Sequence, residues 1–204
     1  MRKLLYPLYL LFLSGLFSCQ QTTPLNQRNL EELSVCQKKM VHNFHILDSM
    51  QLLGQFDPNK SDDFIEDVLS FYNKYPEEQI TPALLDNAAL VSMSLAMYYK
   101  DMHPEDGKLK TKYAKQALNI FNKILKVYPD YSRSALIAYQ KGVIYDNILE
   151  DYAKAETEYR KFIHKKPHDS LAINISNYLP YIGKSTKEIM DSIHVQQMHQ
   201  DTGH

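Results

Sequence analysis

Residues 130–167 read DYSRSALIAYQKGVIYDNILEDYAKAETEYRKFIHKKP, and part of their spacing recurs elsewhere in the chain. A small residue, a bulky residue four positions later and a proline eight positions after that occur twice, 38 residues apart. The two copies are Ala117, Phe121, Pro129 and Ala155, Tyr159, Pro167, and a weaker third is Phe64, Val68, Pro76, which lacks the small residue. Internal self-similarity of this kind predicts a repeat protein built from one supersecondary unit.

Each unit is predicted to be two helices joined by a turn, and Gly142 gives the clearest reason. Glycine in a helix interior is about 1 kcal/mol less favourable than alanine, so close packing of the partner helix explains its place midway along the first helix. Tyr145 is expected to fill the space beside Gly142. On the second helix, Ala155 is the small residue at the crossing and Tyr159 is the bulky filler. Pro167 ends the unit, because proline cannot continue a helix.

These residues resemble the tetratricopeptide repeat, in which two antiparallel helices form each unit. The resemblance implies an all-α fold, a short right-handed superhelix of antiparallel helix pairs with capping helices at both ends. Two features depart from the family pattern. Ala138 stands where a large aromatic residue is expected, and one residue too many separates Gly142 from Ala155.

The N-terminus predicts a targeting segment. A short basic head precedes an apolar run at residues 4–17, which is too short to span a bilayer comfortably and is typical of a signal peptide. The run ends in LFSC at residues 16–19, which resembles the lipobox of bacterial lipoproteins. The resemblance implies that residues 1–18 are a signal peptide and that Cys19 is acylated. The alternative is ordinary secretion, with Cys19 lost or merely structural.

The residues after Cys19 are polar and predict a flexible tether over residues 19–26. Acyl chains, at about 0.8 kcal/mol per buried CH₂, would hold a soluble domain on a membrane when two or more are attached. If sorting resembles that of enteric bacteria, Gln20 implies the outer membrane, with the protein facing the periplasm.

Apolar residues at steps of three and four predict further helices N-terminal to the unit. One runs over residues 27–53, in a segment 27–58 that we expect to cap the array, with a short coiled coil as the alternative. Ser61 is predicted to cap the next helix, and Thr81 the one after it. A polar loop at residues 101–107 is interpreted as an insertion into the repeat.

The predicted helices continue to the C-terminus, within a repeat domain at residues 59–199 that precedes a disordered tail at residues 200–204. A helix at residues 169–179 is interpreted as the first half of a last, partial repeat. Ser185 and Glu188 have the spacing of a capping box, which predicts a terminal helix.

Composition limits the classes of function. Charged residues make up 23% of the chain and the formal net charge is −1, so no nucleic-acid partner is indicated. A Gly-rich phosphate loop, a nucleophile elbow and a paired-cysteine metal motif are all missing from the sequence, so no cofactor is expected. If Cys19 carries lipid, Cys36 is the remaining thiol, and we interpret it as a small apolar residue on a helix face.

Histidines offer the remaining candidates for chemistry. His42, His45 and Asp48 follow each other at steps of three and could hold a metal ion from one helix flank, but no fourth ligand is indicated. Solvated or partly buried histidines are the simpler interpretation, and no metal site is predicted. Three histidines near the C-terminus support adventitious metal binding only: His194, His199 and His204.

Repeat arrays of this kind bind partners on a concave surface formed by the first helices. Alignment on Gly142 predicts five partner-binding residues: Leu136, Tyr139, Val143, Asp146 and Asn147. Tyr139, Asp146 and Asn147 are predicted to hold an extended peptide through hydrogen bonds and stacking. The alternative is that Leu136 and Val143 pack on the neighbouring repeat.

A second candidate surface is a basic strip on the helix predicted at residues 108–128. Its members are Lys108, Lys112, Lys115 and Lys126, and no acidic residue lies between the first and the last. Such a strip fits an acidic partner or anionic head groups. The alternative is a solvated helix face.

The repeat ends, the turn at residues 146–151 and the closing segment at residues 179–190 resemble small tetratricopeptide lipoproteins of Bacteroidetes-type bacteria. More distantly they resemble the repeat lipoprotein of the outer-membrane β-barrel assembly machine and the repeat protein associated with Tol-Pal. The resemblance implies a non-catalytic, lipid-anchored periplasmic scaffold that binds envelope proteins or peptides, in outer-membrane protein assembly or envelope maintenance. The alternative is an accessory solute-binding lipoprotein that captures peptides or glycans; the oligomeric state is left open.

Overall fold

The computed structural model describes residues 27–52, 55–185 and 187–190, and over these residues the chain is all-α, as predicted. Seven α-helices of nine residues or more are described there: α1 Gln27–Leu52, α2 Pro58–Lys74, α3 Thr81–Asp101, α4 Gly107–Val127, α5 Ser134–Val143, α6 Tyr152–Lys165 and α7 Ser170–Tyr178. Shorter pieces complete the described elements: 3₁₀ turns at Pro104–Asp106 and Leu179–Tyr181, and a π-helical turn at Ile144–Ile148.

Packing assigns the described residues to two units, with residues up to 37 in the first and residues from 38 onward in the second. The described part of the first unit is helical and carries Cys36, a free, half-buried thiol. The second unit contains the rest of α1 and all later helices, and its packing is described below.

Helices α5 and α6 form an antiparallel pair. The ring centroids of Tyr139 and Phe162 are 5.7 Å apart, and Lys141 forms an ion pair of 3.1 Å with Glu158. Residues later in α5 thus contact residues earlier in α6, which is the antiparallel arrangement. In the second unit, α1 and α2 follow the same rule, with Lys39 2.9 Å from Asp67 and the Phe44 and Phe64 rings 5.8 Å apart.

The predicted close packing at Gly142 is confirmed. A Cβ atom built on Gly142 would lie 2.4 Å from Cδ1 and 2.5 Å from Cε1 of Tyr159. Ala155 is completely buried in the same cluster. The bulky filler next to the glycine is therefore Tyr159, whereas Tyr145 is only partly buried against the cluster.

Alternate helices run parallel, at nearly constant sequence offsets. Arg133 pairs with Asp86 at 3.0 Å, and Lys100 donates a hydrogen bond to the carbonyl oxygen of Asn147. Both pairs are 47 residues apart, so α3 and the segment from α5 to Ile148 lie side by side in one direction. Helices α2 and α4 are related likewise, because the hydroxyls of Tyr113 and Tyr128 donate to Asp62 and to the Pro76 carbonyl across 51 and 52 residues.

The core of the second unit is centred on α3. Apolar residues occur all round this helix, which is the pattern of a helix covered on several sides. Leu85, Ala88, Ala89, Leu95 and Ala96 are fully buried. A second cluster joins α5, α6 and α7, and its buried members are Ala135, Ala138, Ala155, Tyr159, Phe162, Ala172 and Ile175.

Two predicted helix caps were wrong. Helix α2 begins at Pro58, and its N-cap is Asp57, whose carboxylate accepts hydrogen bonds from the amides of Asn59 and Lys60, both at 3.1 Å. Proline at the first helical position has no N–H to leave unpaired, which favours this earlier start. Ser61 lies inside the helix, is 1% exposed, and donates its hydroxyl to the Asp57 carbonyl oxygen at 2.8 Å.

Thr81 is not an N-cap either, because it is the first residue of α3. The N-cap position is occupied by Ile80, which makes no side-chain hydrogen bond there. The Thr81 hydroxyl instead donates to the carbonyl oxygen of Tyr75 at 2.8 Å. The hydroxyl is fully buried, so this bond satisfies it and fixes the turn between α2 and α3.

The predicted polar loop at residues 101–107 coincides with the connection between α3 and α4, but its interpretation as an insertion that lengthens the repeat is wrong. Helix α3 reaches Asp101, α4 begins at Gly107, and the short connection contains the 3₁₀ turn Pro104–Asp106. The longer spacing of this hairpin comes from its helices, since α3 and α4 have 21 residues each, against 10 in α5 and 14 in α6.

The extra residue between Gly142 and Ala155 coincides with the π-helical turn Ile144–Ile148. The amide of Leu149 bonds to the carbonyl oxygen of Ile144, five residues earlier, at 3.0 Å. A π-turn contains one more residue than an α-turn. The helix therefore keeps its direction, while the side chain of Asp146 is rotated toward the interior. Glu150 then ends the segment in the left-handed conformation, with φ of 57°.

The predicted capping box is confirmed. The Glu188 carboxylate accepts from the Ser185 amide at 2.7 Å, and the Glu188 amide donates to the Ser185 hydroxyl at 3.3 Å. Residues 191–204, with His194, His199, His204 and the predicted tail, lie outside the described residues, as do the predicted signal peptide, Cys19 and the tether. Within the described ranges, no helix is both long enough and apolar enough to cross a membrane.

Gly142→Ala tests the close packing in the α5–α6 hairpin. Because the Tyr159 ring is 3% exposed, it has no room to move, so we expect overpacking to lower the free energy of unfolding by about 1–3 kcal/mol. Gly107→Ala is the matched control, since no atom lies within 4 Å of a Cβ there and the backbone is helical. Urea unfolding should show the control at or above wild-type stability; equal stability of the two variants would contradict the packing argument.

Candidate functional site

The five predicted partner-binding residues fall on α5 and the π-turn that follows it, but they do not share one environment. Asn147 is exposed, and Leu136, Tyr139 and Val143 are half-buried. Asp146 is 7% exposed and therefore belongs to the interior. The side chain of Asn147 therefore faces solvent, whereas that of its neighbour Asp146 is buried.

Asp146 is the centre of a hydrogen-bonded cluster. Its Oδ2 atom accepts from the hydroxyl of Tyr178 at 2.9 Å and from that of Tyr159 at 3.2 Å. One carboxylate oxygen thereby joins the π-turn to α6 and to α7. A buried oxygen left without these donors would lower the free energy of unfolding by roughly 1–3 kcal/mol, so the two hydrogen bonds hold α6 and α7 to the π-turn.

Burial raises the pKa of the Asp146 carboxyl above its ordinary value, and the hydrogen bonds from Tyr178 and Tyr159 and the charge of Lys100 oppose that shift. Burial also raises the pKa values of both tyrosines, and the neighbouring Asp146 charge adds to the effect. The tyrosines therefore remain protonated and act as donors.

Tyr139 and Val143 contribute to packing inside the hairpin. The Tyr139 ring centroid lies 5.7 Å from that of Phe162 and 6.1 Å from that of Tyr159. Both residues pack against the cluster that joins α5, α6 and α7. Tyr139 and Val143 therefore take part in the packing of α5, α6 and α7, while the alternative that Leu136 and Val143 pack on the neighbouring repeat stays a prediction.

Asn147 keeps its side chain exposed while its carbonyl oxygen accepts from the ammonium group of Lys100. Lys100 also lies 3.9 Å from the carboxylate of Glu150. This lysine was not among the predicted site residues. The sequence carries no signal for this contact, because the contact depends on the register of α3 against α5, which the structure sets at 47 residues.

Two exposed tyrosines border the Asp146 cluster and were also missed. Tyr178 is 38% exposed although its hydroxyl is fixed on Asp146, and Tyr152 is 39% exposed at the start of α6. Gly183, with φ of +73°, lies so close to Tyr152 that a Cβ atom would be 2.7 Å from the ring. Both rings are therefore held in place while part of each faces solvent, which is the condition of interface tyrosines.

A second buried carboxylate, Asp86, lies at the other end of the α3–α5 contact. It is fully buried and is bound by the Arg133 guanidinium at 3.0 Å and the Tyr131 hydroxyl at 3.0 Å. Burial raises its pKa, while the Arg133 charge and the Tyr131 bond act in the opposite direction. Both contacts are made by the Oδ2 atom and hold α3 and α5 in register, whereas the buried Oδ1 atom has no hydrogen-bond partner among the described residues.

The four members of the basic strip are all exposed on α4. Lys112 also lies with its Nζ atom 4.5 Å from the centroid of the Tyr113 ring. The Tyr113 hydroxyl in turn donates to Asp62 at 2.7 Å, so the base of the strip is fixed on α2.

The histidines predicted as possible ligands are separate and exposed on α1. Among the described residues, one group of acidic and histidine side chains brings its ligand atoms within 4.8 Å of one another, namely His103, Glu105 and Asp106. The His103 ring is already engaged, with Nε2 3.1 Å from the Tyr98 hydroxyl and Nδ1 3.3 Å from Glu105. The ring therefore caps the α3–α4 turn.

No protein-family model, no curated protein and no solved structure matches this chain.

Asp146→Asn tests the buried carboxyl. A raised folded-state pKa means that the stabilising contribution is complete below the unfolded pKa, near 3.8, and is lost as pH rises through the folded pKa. We therefore expect the difference in free energy of unfolding between wild type and Asp146→Asn to become smaller as pH increases. Denaturant unfolding at several pH values measures this difference.

Asp151→Asn is the control with the opposite sign. The hydrogen bond from Lys154 lowers the pKa of Asp151, so its contribution is present above the unfolded value and is lost as pH falls. The effect of Asp151→Asn should therefore grow as pH rises. Parallel pH trends for the two variants would contradict the assignment of Asp146 as a buried, desolvated group.

Proposed function

We propose that this protein is a non-catalytic, lipid-anchored adaptor of the cell envelope that binds another envelope protein through a tetratricopeptide-like array. The array would comprise the hairpins α1–α2, α3–α4 and α5–α6, with α7 beginning a partial unit. Its anchor would be Cys19, and its place the periplasmic face of the outer membrane.

The regular offsets between alternate helices carry this proposal. Helices α3 and α5 run parallel at 47 residues, and α2 and α4 at 51–52 residues, while consecutive helices are antiparallel. Stacked helix pairs with these relations build solenoids, whose extended surfaces bind partners. The superhelical form and the tetratricopeptide class are part of the proposal, supported by Gly142 and Ala155 at the helix crossing.

A binding role also agrees with how the titratable groups are used. A general base has to reach a substrate proton at hydrogen-bond distance. The buried carboxylates Asp86 and Asp146 are each bonded to side chains of neighbouring helices. Their shifted pKa values are explained by structural roles, which favours an adaptor over an enzyme.

The docking surface is best placed around Asn147, Tyr152 and Tyr178. These residues are exposed, yet the backbone of Asn147 and the rings of both tyrosines are fixed by contacts with Lys100, Gly183 and Asp146. Tyrosine is enriched in protein interfaces, and a pre-fixed ring loses little entropy on binding. Of the residues predicted from the sequence, Asn147 thus keeps a direct role, and Asp146 supports the surface from below.

A protein partner suits this surface better than a small solute does. Neither of two described cavities is lined by Asn147, Tyr152 or Tyr178. The more enclosed one, near Phe56 and Ser61, has a volume of about 20 Å³, and the other, of about 540 Å³, is an open polar groove beside Lys39 and Asp67. Sites for small molecules usually bury most of the ligand in an apolar cleft of several hundred Å³, which an open polar groove does not provide. Thermal stabilisation by a short peptide or a glycan, with no crosslinked protein partner, would support the solute-binding alternative instead.

Cys19→Ala tests the anchor. Loss of the acylated cysteine removes the buried chains that hold the domain on the membrane, so the protein should move from the membrane fraction to the soluble fraction. Fractionation of cells that express the full chain, with immunoblotting, is the measurement. Cys36→Ala is the control and should leave the distribution as in wild type. Retention of Cys19→Ala in the membrane fraction, at high salt, would reject the anchor.

A photo-crosslinking amino acid at position 147 tests the docking surface. We expect one envelope protein to be captured from intact cells, and capture to fall by about tenfold when Tyr152→Ala is added, as for an aromatic contact worth 1–2 kcal/mol. The same crosslinker at Thr157, which is exposed on α6, is the matched control. Equal capture from both positions would contradict the placement of the surface.

A further inference from the structure

The lysines of α4 form a straight line on its exposed side. The line contains one polar or basic residue at every three or four positions, all of them exposed: Lys108, Lys112, Lys115, Asn119, Asn122 and Lys126. With a rise of 1.5 Å per residue, its ends are about 27 Å apart. The opposite side of the helix is buried through Tyr113, Ala117, Phe121 and Ile124, so α4 cannot rotate to hide the line.

These charges are not neutralised within the described part of the chain. Helix α4 contains no acidic residue, and none of the four lysines forms an ion pair with a described residue. Two lysines of α4 lie over aromatic rings, which leaves their charge in place: Lys112, within the line, has its Nζ atom 4.5 Å from the Tyr113 centroid, and Lys123, beside the line, has its Nζ atom 4.3 Å from the Tyr72 centroid.

Helix α6 shows the usual arrangement for comparison. Three of its exposed cations have acidic partners three or four residues away: Lys154 lies 2.6 Å from Asp151, Arg160 2.6 Å from Glu156 and Lys161 2.9 Å from Glu158. Such pairs reduce the field that a helix presents to solvent. Helix α4 therefore presents an uncompensated positive line, whereas three of the four lysines and arginines of α6 are paired.

We propose that the α4 lysine line binds the anionic head groups of a membrane surface, with α4 lying along the membrane plane. Lysine is a compact, strongly hydrated point charge, which suits a diffuse layer of phosphates. Protein interfaces are depleted in lysine and enriched in arginine and aromatic residues, which are missing from the line. The chemistry thus favours a lipid surface over an acidic protein.

This inference deepens the proposed function, because the proposed anchor would hold α4 beside a membrane. One acyl chain gives only marginal membrane binding, and a basic patch is a common second contribution. The line would also fix the orientation of the array, since a tether alone leaves the domain free to turn.

Vesicle sedimentation of the full chain carrying Cys19→Ala tests the line without an acyl anchor. Partition coefficients are measured on phosphatidylcholine vesicles and on vesicles that also contain phosphatidylglycerol. Their ratio isolates the electrostatic part of binding, because other contacts with the bilayer are common to all variants. Lys108→Gln with Lys115→Gln removes two charges that have no described partner, and should lower the ratio by about tenfold to thirtyfold.

The matched control is Lys165→Gln with Lys166→Gln, two exposed lysines at the end of α6. It changes the net charge equally and should leave the ratio as it is. In about 1 M salt the screening length falls to about 3 Å. The partition coefficients on the two kinds of vesicle should then become equal. If the variant Lys108→Gln with Lys115→Gln and the control gave the same ratio of partition coefficients, the inference would be overturned.

A polyglutamate peptide separates the lipid source from an acidic protein. If the peptide binds in a manner that depends on Lys108 and Lys115 while the vesicle ratio stays unchanged, the line is a protein-docking surface and the membrane proposal is wrong. The anchor is judged independently, since membrane retention of Cys19→Ala in cells rejects the lipid attachment without altering the vesicle ratios. The two proposals can therefore fail separately.

Discussion

The contact between Tyr159 and Gly142 is the constraint on which the C-terminal part of the protein depends. The ring occupies the space that a Cβ atom would need, and the hydroxyl of the same residue reaches Asp146 at 3.2 Å. One side chain thus sets both the separation of α5 and α6 and the position of the π-turn. Because Asp146 also accepts from Tyr178, the placement of α7 follows from the same contact.

Tyrosine hydroxyls perform the corresponding task between other helices. The chain has fifteen tyrosines and no tryptophan, and several of its hydroxyls donate to oxygen atoms of neighbouring hairpins. These donors are Tyr113 to Asp62, Tyr128 to the Pro76 carbonyl, Tyr131 to Asp86 and Tyr178 to Asp146. An apolar contact tolerates sliding, but a hydrogen bond of 2.6–3.0 Å selects one register. The solvent-facing lysines and tyrosines are positioned by this buried set.

Features that depend on local spacing could be predicted from the sequence. Gly142, Ala155 and the box of Ser185 and Glu188 act within one hairpin or one helical turn, so their pattern was sufficient. Helix caps were harder, because Asp57 and Ser61 are both good capping residues and the choice rested on Pro58 and on the burial of Ser61. The contacts of Lys100 and Asp86 could not be predicted, since they depend on the register of α3 against α5. For the same reason the sequence placed Asp146 on the binding surface, whereas the π-turn directs it inward.

The long hydrogen bonds connect residues separated by 32 to 52 positions, and each joins one hairpin to the next along the chain. Coupling of this kind is between nearest neighbours, so the free energy of the array is close to a sum of terms for each hairpin and each junction. The terminal helices α1 and α7 are then expected to open more easily than α3, which lies in the middle of the described chain. A partner bound beside Tyr178 would restrain one of these two ends.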